Sequence, residues 1–187
     1  MKRSLITVIM AAGKGKRMKN PDKSKVMYEF KSKPMIEHVT ELAMKINSVS
    51  IIPIVGHKKE TVIEHLNNIY SGSIDKIKYA HQDEQLGTGH AVMQTEDHLK
   101  EFDGIVLILS GDVPMLTFDT VKTFIEFHDE NNFDASLISA VFEDPTGYGR
   151  VLRDSEGNFF DIREEKDCNE EERKCKEINS GIYLIDN

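Results

Sequence analysis

The chain has no tryptophan, only two cysteines and no apolar run long enough to cross a bilayer. Cys168 and Cys175 lie in an acidic stretch with no ligand-like spacing to any histidine. A disulfide framework and a zinc site are therefore not indicated, and a reducing, cytoplasmic setting is the default. No H-E-x-x-H occurs among the seven histidines. The N-terminal apolar run is too short for a signal peptide and lacks a cleavage site, so neither a secretory leader nor a membrane span is expected. Positive charge is the scarcer sign, with 24 Lys and Arg against 32 Asp and Glu. The net charge of −8 argues against nucleic acid or an anionic membrane as a general partner. Two phosphate motifs are also missing. No window supplies G-x-x-x-x-G-K-[ST], and G-x-G-x-x-G, begun by Gly13 and Gly15, meets Met18 at its third position, which weakens a dinucleotide reading.

What positive charge there is gathers at one end. Residues 1–33 hold ten Lys and Arg against two acids. Within them the stretch 5–25 organises the rest of the chain. Residues 5–10 are apolar and rich in β-branched side chains, the composition of a buried strand. The run breaks at Ala11-Ala12-Gly13-Lys14-Gly15, and Lys14, Lys16, Arg17, Lys19, Lys23 and Lys25 follow. A glycine-rich turn with free backbone N–H groups and flanking cations makes a cradle for several phosphate oxygens, which points to a nucleoside triphosphate. The competing reading is a tight turn whose cations face water.

Further along, 34–46 reads as a helix with Met35, Val39, Leu42, Ala43 and Ile46 in one stripe and Pro34 in its first turn. Residues 50–55 form a second strand, which Pro53 is expected to bulge or to place near an edge. A helix over 59–70, a strand over 74–80, a helix over 87–99 and a strongly hydrophobic strand over 104–109 come next. A helix over 118–131 and a strand over 135–142 complete the alternation. Strand–helix alternation predicts a Rossmann-like α/β fold with a mainly parallel sheet flanked by helices. Ligands of such sheets sit beyond the carboxyl ends of the strands, where the Gly13 loop and Asp112 would meet. Beyond Gly147 the pattern changes to short strands over 150–154, 158–163 and 178–186, with a polar helical stretch near 169–176.

Three clusters carry chemistry. Asp112, between Gly111 and Pro114 at the end of an apolar strand, is placed to hold magnesium or to cap the following turn. Gln82, Gln85 and the Gly87-Thr88-Gly89 turn opening a helix offer amide donors and acceptors suited to a pyrimidine edge. The same residues also fit a polar loop with Thr88 as an N-cap. Gly147, Glu164 and Asn179 lie on loops where carboxylate and amide groups suit sugar hydroxyls, although an acidic run such as 164–167 is also a common solvated face.

Taken in order, M-A-A-G-K-G-K-R-M, K-V-M at Lys25, Q-L-G-T-G-H-A at Gln85, L-S-G-D-V-P at Asp112, G-Y-G-R-V at Gly147, R-E-E-K-D at Glu164 and E-I-N-S-G-I-Y at Asn179 resemble the nucleotide-sugar pyrophosphorylase family. More narrowly, the chain resembles the N-terminal uridyltransferase domains of bacterial bifunctional N-acetylglucosamine-1-phosphate uridyltransferases. The resemblance implies the nucleotide-diphospho-sugar transferase fold with part of a small β-rich sugar-binding subdomain. It implies UTP and N-acetylglucosamine 1-phosphate as substrates, UDP-N-acetylglucosamine and pyrophosphate as products, and Mg²⁺ as cofactor. It also implies in-line attack without a covalent enzyme intermediate, and a monomer or weak dimer for this chain.

By the same resemblance, Ala11, Ala12, Gly13 and Gly15 approach the nucleotide while Arg17 and Lys25 hold its phosphates. Gln82 and Gly87 read the uracil, Gln85 also belongs to the nucleotide site, and Thr88 sits near the sugar pocket. Asp112 ligates the metal, and Gly147, Glu164 and Asn179 grip the sugar. Several positions depart from the family pattern. The loop between Arg17 and Lys25 is one residue longer, Ser24 replaces the proline before the lysine, and Ser110 replaces a tyrosine. A second metal ligand, an asparagine, has no counterpart. The expectation is one nucleotidyltransferase domain over 1–187, C-terminally incomplete, with 1–143 as its nucleotide part and 144–187 the start of its sugar part. Another sugar 1-phosphate such as glucose 1-phosphate, or UTP binding without turnover, are the alternatives.

Overall fold

Where aliphatic and β-branched residues run unbroken, the chain forms strands buried on both faces. The computed structural model describes residues 3–13, 15 and 23–187. After β1 (Leu5–Met10) come a small antiparallel ribbon of β2 (Glu29–Phe30) and β3 (Lys33–Pro34), helix α1 (Met35–Lys45), β4 (Ser50–Val55) and α2 (Lys59–Ile69). Then follow β5 (Ala80–His81), α3 (Thr88–Met93), α4 (Glu96–Leu99), β6 (Ile105–Ser110) and α5 (Phe118–Asn131). These elements make up a first unit, which also takes in Leu184–Asn187.

The sheet of this unit runs β5-β4-β1-β6. β1 is central, with Ile6 opposite Ser50 on one side and Leu5 opposite Ile105 on the other, and all pairings are parallel. A parallel sheet covered on both faces has no solvent side, which is why these strands show no alternation of polarity. The exception within β1, Thr7, is fully buried, and its hydroxyl lies 2.6 Å from that of Ser48, so the polar group is satisfied. α1 packs on β1 and β4 and buries Ile36, Val39, Leu42 and Ala43. Met35 and Ile46, expected in that stripe, are only half-buried, and Ile36 takes the core position instead. α5 opens on Thr117, whose hydroxyl accepts the Thr120 N–H at 3.2 Å.

Expectations over three segments of this unit need correction. Pro53 does not bulge β4, since it pairs in register with Ile9 of β1, although β4 does lie near an edge, next to the terminal strand β5. Ile51 and Val55 accept hydrogen bonds from Lys78 and Gln82 at 2.9 and 2.8 Å, while Ile54 serves Ala11 on the β1 side. By alternation, the missing N–H of Pro53 faces β5, where the ladder is broken. The strand expected over 74–80 is accordingly only Ala80–His81, plus a lone bridge from Ile77 to Ile51, with a 3-10 stretch over Ser71–Lys76 before it. The helix expected over 87–99 is divided into α3 and α4. The Gln94 side chain donates to the His90 carbonyl at 2.9 Å and that of Thr95 to Val92 at 2.7 Å, competing with helix propagation between them.

The second unit, Ser136–Tyr183, holds most of β7 (Ala135–Val141) and β10 (Glu177–Asp186), with β8 (Arg150–Arg153) and β9 (Phe159–Arg163) between them. β8 and β9 form an antiparallel hairpin whose turn is fastened by Asp154, accepting the N–H groups of Glu156 and Asn158 at 2.9 Å each. β10 pairs with β8, Ile178 opposite Arg150, and with β7. In place of the helical stretch near 169–176 there is one 3-10 turn, Glu172–Lys174, fastened by the Asn169 side chain. Among the described residues no helix is long and apolar enough to cross a membrane.

Candidate active site

The carboxyl ends of β1, β4 and β6 finish level, Met10 lying opposite both Ile54 and Ser110. Beyond them opens a cavity of about 300 Å³, at the lower end of the range for small-molecule sites. Of the residues singled out from the sequence, Ala12, Gly13, Lys25, Gln82, Gln85, Gly87, Thr88 and Asp112 all line it. Ala11 is buried behind it, and Gly15 sits against the Cβ of Lys25 rather than at the cavity. Arg17, with Lys14, Lys16 and Lys19, lies outside the described residues.

Backbone proximity explains part of the convergence. A Cβ on Gly56, which ends β4, would fall 2.7 Å from the Gln82 carbonyl and 3.0 Å from the Ala12 Cβ. Only glycine lets the exits of β1 and β5 close up on β4 at this point. Gly87 has φ of +116° and serves as N-cap of α3, so Thr88 is the first helical residue and not the cap. No side chain caps α3.

The charged centre is an ion pair. Lys25, at the start of a 3-10 turn over Lys25–Met27, reaches the Asp112 carboxylate, and the Ser110 hydroxyl donates to the same group at 2.7 Å. Burial would raise the Asp112 pKa, but the hydrogen bond and charge of Lys25, with the bond from Ser110, outweigh it and hold the carboxyl below its ordinary value. Both partners keep solvent contact, at 40% and 26% exposure, so the pair contributes at most about 1 kcal/mol net and exchanges readily for stronger partners. Ser110 thus has a defined task where the family pattern has a tyrosine.

The third feature is amide chemistry. Gln82 is only 3% exposed. Its Nε2 lies 3.1 Å from the Gly87 carbonyl and 3.1 Å from His90 Nδ1, and the Gln85 side chain donates to the Gln82 carbonyl at 3.4 Å.

Gly147, Glu164 and Asn179 belong to the second unit. Asn179 accepts the Gly181 N–H at 2.9 Å, donates to the Tyr183 hydroxyl at 2.6 Å, and its own N–H donates to the Gly149 carbonyl at 2.8 Å. Burial pushes the Tyr183 phenol up; the Asn179 bond opposes this, and the Glu164 carboxylate adds to it. Gly147 donates its N–H to Glu165, which also pairs with the buried Arg150 guanidinium at 3.4 Å. The acidic run is therefore not wholly a solvated face. Ser110, His90, Gly56, Tyr183 and Arg150 were not singled out as functional from sequence. All but Gly56 lie inside quoted motifs, which was the one signal the sequence gave for them.

Among the described residues no three His, Cys, Asp or Glu side chains are placed to share a metal ion. A lone carboxylate such as Asp112 is nevertheless compatible with magnesium, an ion that keeps several waters and is commonly held by one or two carboxylates together with phosphate oxygens.

The nucleotidyl transferase family profile matches residues 6–187. The chain belongs to the nucleotidyl transferase family. This nucleotidyl transferase is 48% identical over 182 residues to the bifunctional protein GlmU of Caldanaerobacter subterraneus subsp. tengcongensis, covering 97% of the chain and 38% of that relative. It is 44% identical over 179 residues to the protein of the same name from Clostridium botulinum type A, covering 96% and 38%. It thus spans well under half the length of the curated relatives it matches. Among solved structures, UDP-glucose pyrophosphorylase with bound UDP-glucose superposes with a TM-score of 0.77 at 18% identity, covering 100% of this chain and 76% of the other. HddC from Yersinia pseudotuberculosis, complexed with GMP-PN, gives 0.72 at 23% identity, covering 97% and 76%. At such identities these two likenesses show the fold, and the nucleotide-diphospho-sugar transferase architecture expected from the motifs is the one observed.

Proposed function

We propose that this nucleotidyl transferase moves a uridylyl group from UTP to N-acetylglucosamine 1-phosphate, giving UDP-N-acetylglucosamine and pyrophosphate. One observation carries the reading: a single cavity at the strand ends is lined by a cation–carboxylate pair and by a buried carboxamide. The first suits a metal-bound triphosphate and the second a nucleobase. The relatives named GlmU and the ordered uridyltransferase motifs support the choice of substrates.

The reaction needs no protein nucleophile. An oxygen of the sugar phosphate attacks the α-phosphorus of UTP in line, that bond forms as the bond to the β-phosphate oxygen breaks, and pyrophosphate leaves. The protein's task is positioning and charge neutralisation. Lys25 gives up Asp112 for the phosphates, joined by Arg17 on the strength of the motif. Asp112, oriented by Ser110, is the residue that would hold Mg²⁺. When bound, that ion supplies Lewis-acid polarisation of phosphate oxygens and a template for them. The cluster of Asn179, Tyr183 and Glu164, with Gly147, supplies the donors and acceptors for the sugar. A cytoplasmic setting suits the two free thiols.

Pyrophosphate release from UTP in Mg²⁺ should require N-acetylglucosamine 1-phosphate. It should be at least tenfold faster than with glucose 1-phosphate and should fail with ATP, GTP or CTP. Release with glucose 1-phosphate alone would assign another sugar, and saturable UTP binding without release would assign a binding module.

A further inference from the structure

We propose that His90 is a positioning residue for base selection, holding the Gln82 carboxamide so that its oxygen, and not its NH₂, is presented to the nucleobase. The inference rests on the nucleotide reading of the cavity and adds to it a residue that no part of that reading uses.

The direction of a carboxamide follows from its partners. A backbone carbonyl can only accept, so the Gln82 atom 3.1 Å from the Gly87 carbonyl is the NH₂ group. That group has a second hydrogen, and among the described residues its other hydrogen-bonding neighbour is His90 Nδ1, also at 3.1 Å. The ring nitrogen must therefore accept, which places the imidazole proton on Nε2. Gln94 competes for the opposite tautomer, but more weakly: its NH₂ bonds the His90 carbonyl at 2.9 Å and lies 3.4 Å from the ring Nε2, against 3.1 Å for the Gln82 contact with Nδ1, so the shorter contact decides. With both hydrogens of Gln82 used, its Oε1 takes no hydrogen bond from any described residue, while Gln82 itself lines the cavity.

On a side chain only 3% exposed, an acceptor that takes no donor from the protein favours a ligand that brings one. Uracil carries a hydrogen at N3, whereas cytosine has a lone pair there and would set acceptor against acceptor. Sites built to complete such a bond reject the analogue that cannot make it, because the polar group is left unpaired. Turning the amide round would reverse the preference, and His90 is one of the two acceptors that oppose the turn. The ring is half-buried, on the first turn of α3, and reaches the base only through Gln82.

The experiment is equilibrium binding of UTP and of CTP to the full chain, in Mg²⁺, for the wild type, His90→Phe and His90→Asn. Phenylalanine keeps the ring and loses the acceptor; asparagine loses the ring but can place Oδ1 where Nδ1 was. The expected wild-type preference for UTP is at least tenfold. It should fall about threefold or more in His90→Phe and be retained in His90→Asn. A ratio unchanged in His90→Phe, even with both affinities weakened, would overturn the inference and leave the nucleotide reading standing. So would a ratio that falls in His90→Asn but not in His90→Phe, since it would then follow volume. A wild type that binds neither nucleotide, or both equally, overturns the reading of the cavity and this inference with it.

Discussion

Asp112→Asn is expected to reduce Mg²⁺-dependent pyrophosphate release by about a thousandfold or more, since several kcal/mol of charge stabilisation at the transferring phosphate are lost with the metal. The substitution keeps the size of the side chain and leaves the Ser110 hydroxyl a partner, so the fold should persist and the thermal midpoint should move little. A variant with wild-type turnover would remove Asp112 from the reaction. The pH dependence follows from the direction of its shift. A carboxyl held below its ordinary value of 3.8 is charged throughout the neutral range, and its pairing with Lys25 is lost only as pH falls through that depressed value. The acid limb of a turnover profile between pH 5 and pH 8 should therefore owe nothing to Asp112, and it should be the same with the Ser110→Ala variant.

Lys25→Ala is expected to act with opposite signs on two ligands. UTP binding should weaken by about ten- to a hundredfold, the worth of a charge-assisted hydrogen bond to phosphate. Binding of Mn²⁺ alone, followed by electron paramagnetic resonance, should become tighter, because the lysine that occupies the Asp112 carboxylate is gone. In the wild type the pair makes each group wait on the other: the triphosphate draws Lys25 away and so frees Asp112, and by linkage the metal must favour the nucleotide equally. A misfolded variant would weaken both ligands. Loss of Mn²⁺ binding in Lys25→Ala, or no change in UTP affinity, would contradict this arrangement.

The strands and most helices were legible because burial writes itself as runs and stripes. β1, β4 and β6 read as largely apolar segments, and α5 was expected over 118–131, the bounds it has. What misled were places where a single backbone bond decides. Pro53 is tolerated inside a paired strand because its missing N–H faces the broken β5 ladder, which composition does not disclose. Gln94 and Thr95 read as ordinary helix formers, yet their side chains take carbonyls and end α3. In the site, Gly13, Lys25, Gln82 and Asp112 were legible because each follows a strand or turn with a chemical task in view. His90 and Ser110 were not. Their importance lies in holding another side chain, at 3.1 and 2.7 Å, and such a relation exists only after folding. Nothing in the sequence marks Gly56, whose reason is the approach of Gln82 and Ala12 from two other segments.

In the proposed function the nucleotide sits beyond the carboxyl ends of β1, β4 and β6. A second, larger cavity of about 390 Å³, lined by Asn47, Phe118 and Lys122 among others, is a built-in comparison. The decisive measurement is a titration of the ¹⁵N-labelled chain with UTP and Mg²⁺, following backbone amide resonances. Saturable shifts at Gly13, Gly87, Thr88 and Asp112, with Asn47, Phe118 and Lys122 unmoved, are predicted. Shifts confined to the second cavity, or no shifts with UTP in excess, would contradict it.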